Sequence, residues 1–240
     1  MSKERIIAAL DVDTEEEASE LVRKLAGEVG AFKVGLELFN SAGPGVFRTL
    51  KSAGAERIFY DAKFHDIPNT VAGAIRAAVR MGVWMVNVHC FGGRQMMKAA
   101  AEAAKDEASK LGVERPKVIG VTVLTSIDTM ILAEELRVAD TAVNEVVHLA
   151  QIAKSSGLDG VVASAHEADI VRRVCGPDFL IVTPGVRPAG ADAGDQKRVM
   201  TPSDAVRAGA DYLVIGRPIT RAEDPAAAAR AIAAEIDSVS

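Results

Sequence analysis

Several things are scarce in this sequence, and each scarcity excludes something. Only two of the 240 residues are cysteines, Cys90 and Cys175, far apart and with no CxxC partner. That excludes a disulfide framework and a thiolate metal site, and reads as two reduced core thiols in a cytoplasmic protein. Positive charge is not in excess. A formal net charge of −5 argues against a broad nucleic-acid surface, although a few arginines can still group into a local anion site. No apolar run approaches the roughly 20 residues of a membrane span. The N-terminal "MSKERIIAALDVD" has too short an apolar run for a secretory signal and no small-residue cleavage site. HxH and HExxH spacings are missing, and no glycine fingerprint for a dinucleotide follows a strand. No composition break or charge block marks a domain boundary, so residues 1–240 read as a single domain, long enough for a sizeable core.

What is present is a repeating pattern. Short apolar, β-branched runs suggest strands at Ile6–Leu10, Phe32–Gly35, Arg57–Ala62, Met85–His89, Val118–Leu124, Gly160–Ala163, Leu180–Thr183 and Tyr212–Ile215. Between them lie amphipathic stretches at Glu15–Glu28, Thr70–Met81, Arg94–Leu111 and Thr141–Ser156, and Pro225 suits the start of a last helix, Pro225–Ile236. Continuous apolar strands alternating with helices mean parallel strands covered on the outside. About eight units of about 30 residues suit a (β/α)₈ barrel, with a doubly wound open sheet as the alternative.

Aromatics are few, at 4% of residues. Yet Phe59 and Tyr60 lead straight into "DAKFHD", where Asp61, Lys63, His65 and Asp66 fall within six positions. Asp61 and Lys63, two apart on a strand, point to one face. Flanking carboxylates favour a charged lysine, a proton donor rather than a Schiff-base amine. A structural ion-pair cluster is the plainer alternative. Position argues for function. Polar residues collect where the strands end: Asp11 after the first, Lys33 in the second, Asp61 and Lys63 at the third, His89 at the fourth, Thr125 and Ser126 at the fifth, Arg187 after the seventh, Gly216 and Arg217 at the eighth. In a barrel these ends face one mouth, where active sites are built.

Gly216 permits close approach of an anion, and Arg217 and Arg187 supply forked donors, with Gln196 in the long loop "GVRPAGADAGDQKRVMTP". Phosphate is the expected ligand there. Lys33 needs a partner inside its apolar strand, with Asp11 and Asp61 as candidates, or else snorkels at the rim. Thr125 and Ser126 either bind substrate or cap the next segment. His89 reads as a hydrogen-bonded structural residue and His65 as a solvent-facing loop residue. A metal site of these histidines with Asp61 or Asp66 has no spacing to support it.

The segments "LDVD", "FKVGLELF", "FYDAKFHDIPNTVAGA", "VNVHCFGG", "VTVLTS", "TPGVRP…GDQKRVMTP" and "YLVIGRPIT" resemble, in order and over nearly the whole chain, the orotidine 5′-phosphate decarboxylase family. D-x-K-x-x-D alone is shared with relatives such as 3-hexulose-6-phosphate synthase, a metal-dependent aldolase. Its combination with "HDIPNT", "PGVRP…DQ" and "IGRPI" is far more specific. The resemblance implies decarboxylation of orotidine 5′-monophosphate to UMP by a (β/α)₈ homodimer without cofactor or metal. It implies Lys63 as proton donor to C6, Asp61 beside the departing carboxylate, and Asp66 and Thr70 reaching into the partner's site. Asp11 and Lys33 would bind the ribose hydroxyls, Lys33 also counting among the catalytic charges. Thr125 and Ser126 would meet the pyrimidine, Ile67 and Pro184 would line the substrate site, and Arg187, Gln196, Gly216 and Arg217 would hold the phosphate.

Overall fold

A computed structural model describes residues 2–188 and 200–238. Eight strands follow one another in chain order around a closed, wholly parallel barrel: β1 (Ile6–Ala9), β2 (Ala31–Val34), β3 (Ile58–Phe64), β4 (Met85–His89), β5 (Lys117–Val121), β6 (Gly160–Val162), β7 (Leu180–Pro184) and β8 (Tyr212–Ile215). The ring closes where Ile7 pairs with Val214. The open sheet is thereby excluded and the (β/α)₈ barrel stands.

Helices cover the outside: α1 (Glu15–Leu25), α2 (Leu36–Ala42), α3 (Val46–Ser52), α4 (Pro68–Arg80), α5 (Gly93–Leu111), α6 (Thr129–Glu134), α7 (Ala142–Ser155), α8 (Ala165–Cys175), α9 (Pro202–Arg207), α10 (Arg217–Thr220) and α11 (Pro225–Asp237). Their starts follow side-chain chemistry. Thr14, Thr141, Ser164, Thr201 and Asp224 each accept a hydrogen bond from a backbone N–H of the first turn. The β2–β3 crossover holds two short helices, α2 and α3, where the sequence suggests none.

Alternate residues of each strand feed two cores. Ile7, Ala9, Ala31, Phe59, Met85, Ile119, Val182 and Val214 pack on one another inside the barrel. Their neighbours, such as Ile6, Ala8, Val86 and Val88, face the helices. At the N-terminal end of the barrel, Trp84 meets Tyr212 edge to face at 5.2 Å, and Arg57 lies 5.4 Å from the Trp84 ring centroid. Four of the scarce aromatics, Phe39, Phe47, Tyr60 and Phe64, gather where α2 and α3 meet β3, with centroid distances of 4.8 to 5.9 Å. Burial pushes the Tyr60 phenol up to about 12. The outer face of β3 is thus anchored beneath the residues its other face presents.

Candidate active site

A cavity of about 230 Å³ opens at the C-terminal mouth of the barrel. Asp11, Lys33, Asp61 and Lys63 line its charged side; Thr125, Ser164, Pro184 and Gly185 and the apolar Val121, Val162 and Val214 line the rest. The charges alternate along one chain of contacts. Lys33 Nζ donates to Asp11 Oδ1 at 2.8 Å and lies 3.6 Å from Asp61 Oδ2. Lys63 Nζ donates to Asp61 Oδ1 at 2.7 Å. Lys33 is therefore a buried lysine with two carboxylate partners, and the snorkelling alternative fails. Burial pushes the Asp61 carboxyl up, but Lys33, Lys63 and an amide donor from Asn87 outweigh it and hold the carboxyl below its ordinary value.

Glycines make room for these charges. A Cβ at residue 35 would stand 2.9 Å from Lys33 Nζ, and one at residue 216 would stand 3.4 Å from Asp11 Oδ2. Gly216 thus serves the Asp11 side of the site as well as the end of β8.

Asp61 and Lys63 meet, but not on a regular strand. Tyr60 pairs with Val86 and Phe64 with Val88, so three residues of β3 stand opposite Asn87 alone. Lys63 takes a left-handed conformation, φ 49°. Asn87, fully buried, bridges this irregularity. Its Oδ1 accepts from the Lys63 N–H at 2.7 Å and its Nδ2 donates to Asp61 Oδ1 at 2.7 Å. Sequence reasoning passed over Asn87. The only signal was a lone amide inside the apolar run "MVNVH".

The remaining expectations fall in different places. Thr125 lines the cavity, but Ser126 is exposed and is not among its lining residues. Both follow a strand that ends earlier than expected, at Val121. Arg187 is buried and donates to the Val186 carbonyl at 3.0 Å. Burial and then the neighbouring Arg217 push its guanidinium down. The two arginines at the ends of β7 and β8 are thus close enough to feel each other's charge. The feet of the long loop are joined, with Val186 bridging Met200 and Arg187 N–H donating to Met200 O at 3.1 Å. Gln196 lies outside the described residues. Asp66, Ile67 and Thr70 are exposed and do not line their own chain's cavity. Asp66 instead accepts from the Ile67 N–H at 2.6 Å. His65 is exposed, as expected. His89 was expected to be hydrogen-bonded, yet its Nδ1 is buried without a hydrogen-bond partner among the described residues, and its ring stacks on His65 at 5.6 Å. Among the described residues no group of three His, Cys, Asp or Glu could hold a metal ion, and no helix is long and apolar enough to cross a membrane.

Fold and mouth together define a (β/α)₈-barrel enzyme with an ammonium–carboxylate pair lining its cavity and two guanidiniums just past the ends of β7 and β8. The chain belongs to the orotidine 5′-phosphate decarboxylase / HUMPS family, whose model matches residues 4–232. It is 56% identical over 238 residues to the orotidine 5′-phosphate decarboxylase of Moorella thermoacetica, covering 99% of this chain and 94% of the relative. It is 51% identical over 239 residues to that of Nostoc sp., covering all of both chains. The crystal structure of the Lactobacillus acidophilus orotidine 5′-phosphate decarboxylase superposes with a TM-score of 0.85 at 40% identity, covering 97% of this chain and 98% of the other. At such identity over nearly its full length, the chain is a decarboxylase, a lyase.

Proposed function

We propose that this chain converts orotidine 5′-monophosphate to UMP and CO₂, in pyrimidine synthesis in the cytoplasm, as one catalytic domain over residues 1–240 that works as a homodimer. The Asp61–Lys63 contact of 2.7 Å in the cavity wall carries the reading. Breaking the bond from C6 to the carboxylate releases CO₂ and leaves an electron pair on a ring carbon with no adjacent carbonyl to delocalise it. The Lys63 ammonium faces that charge and then gives C6 its proton. Asp61 holds the ammonium and stands beside the departing carboxylate. Water reprotonates the lysine. No cofactor and no metal enters these steps.

The other residues hold the substrate. Asp11 and Lys33 take the ribose hydroxyls, while Thr125 and Ser126 meet the pyrimidine edge beside Ile67 and Pro184. Arg187, Arg217, Gly216 and Gln196 grip the phosphate. That grip is remote from C6, and its binding energy can be spent on holding the carboxylate against Asp61. Asp66 and Thr70 complete the partner's site. Their exposure, away from the cavity of their own chain, supports that role.

Orotidine 5′-monophosphate and UMP absorb differently, so turnover can be followed directly. Full activity is expected after exhaustive dialysis against EDTA. No turnover, or turnover only on adding Mg²⁺, would contradict the proposal; a metal-dependent aldol reaction instead would point to the synthase branch of the family.

A further inference from the structure

Three residues of β3, Asp61, Ala62 and Lys63, face a single residue of β4. A side chain at residue 63 in the left-handed region is disfavoured, because its Cβ crowds the backbone. Such a conformation persists only where its surroundings hold it. Among the described residues, the side chain that reaches both ends of the irregularity is Asn87. Its carbonyl oxygen takes the Lys63 N–H, and its amino group reaches the same Asp61 oxygen that accepts from the Lys63 ammonium.

The geometry points to Asn87 as a positioning residue: its amide fixes the left-handed turn at Lys63 and aims the Asp61–Lys63 pair. This rests on the decarboxylase reading for its kinetic consequence, but not for its structural one. A side-chain amide can do this work at this place; an apolar or an ionised side chain cannot. The group must accept from one N–H and donate to a carboxylate, and it must do so fully buried, where an unmet partner is costly. An aspartate has the amide's shape but offers a donor only while protonated. Ionised, it would set a second negative charge against Asp61.

Two variants and two kinds of measurement test this. In the parent, residue-resolved amide hydrogen exchange should show Lys63 protected. In Asn87→Ala that amide should exchange at least about tenfold faster, while Phe59 and Tyr60, lower in β3, keep their protection. With orotidine 5′-monophosphate, kcat of Asn87→Ala should fall about 10- to 100-fold, as for a misaimed catalytic group, and UMP affinity should stay within about threefold. In Asn87→Asp the deficit relative to the parent should narrow as pH falls, because the protonated carboxyl restores the missing donor. Thermal melting of each variant separates these effects from loss of fold. Unchanged Lys63 protection in a folded Asn87→Ala, or a deficit in Asn87→Asp that does not vary with pH, would overturn the inference. If the parent does not turn over the nucleotide, the decarboxylase reading fails, and the exchange measurement still decides the role of Asn87.

Discussion

Lys33 can set its ammonium against Asp11 and Asp61 because residue 35 has no side chain. Gly35 has φ −95° and ψ −171°, a conformation open to any residue. Gly35→Ala therefore costs little through the backbone, but its new methyl would press on Lys33 Nζ. The expected result is a fall in kcat/KM of about tenfold or more, with stability changed by less than about 1 kcal/mol. Steady-state kinetics and denaturant unfolding check this together; unaltered kinetics would show that the ammonium has room to move. His89 ties stability to pH. Burial, then His65 and Lys63, lower its imidazole to about 4, against 6.5 for an ordinary histidine. Below pH 6.5 the unfolded chain takes up a proton that the native chain refuses until about pH 4. Stability contributed by neutral His89 is thus fully present above pH 6.5 and is lost as pH falls through that window. His89→Gln should remove roughly 1–2 kcal/mol of this acid-side loss, less than full burial would give because the ring is partly screened by solvent. Urea unfolding of parent and variant at pH 7.5 and pH 4.5 measures it. A parent and variant with the same pH slope would contradict it.

At the scale of elements, the strand ends set the order of functions around the mouth. β1 to β3 bring the alternating charges, and β7 and β8 bring the arginines. Arg217 opens the four-residue α10 directly after Gly216. Arg217→Ala should cost about 2–5 kcal/mol of transition-state stabilisation with orotidine 5′-monophosphate. With the phosphate-free nucleoside, parent and variant should react alike. Equal impairment on both substrates would place Arg217 in folding or chemistry instead. The strands were legible in the sequence because parallel strands buried on both faces read as unbroken apolar runs, and β4 and β8 have the bounds expected of them. The charges were legible because a carboxylate or lysine at the end of such a run has little reason to be there unless it is partnered. The irregularity of β3 was not. It is a matter of pairing with β4, and "DAKF" carries no glycine to announce a left-handed residue. Asn87 was missed for the same reason: its importance lies in what stands across from it. The α2–α3 crossover was missed because helices of seven residues each show too few turns of periodicity.

At the scale of the whole molecule, the closed barrel gathers Asp11, Lys33, Asp61 and Lys63 from three strands and their connections into one mouth, yet leaves Asp66 outside its own cavity. In the proposed homodimer, a complete site takes Asp61 and Lys63 from one chain and Asp66 from a partner. Lys63→Ala and Asp66→Asn homodimers should each be nearly inactive. When an equal mixture is unfolded and refolded, random pairing makes about half the dimers mixed, and two-fold symmetry puts both lesions in one site of each mixed dimer and none in the other. The measurement is the decarboxylase activity of that refolded mixture, with differently tagged chains to show that mixed dimers have formed. About a quarter of parental activity should return; no recovery in the presence of mixed dimers would contradict the shared site.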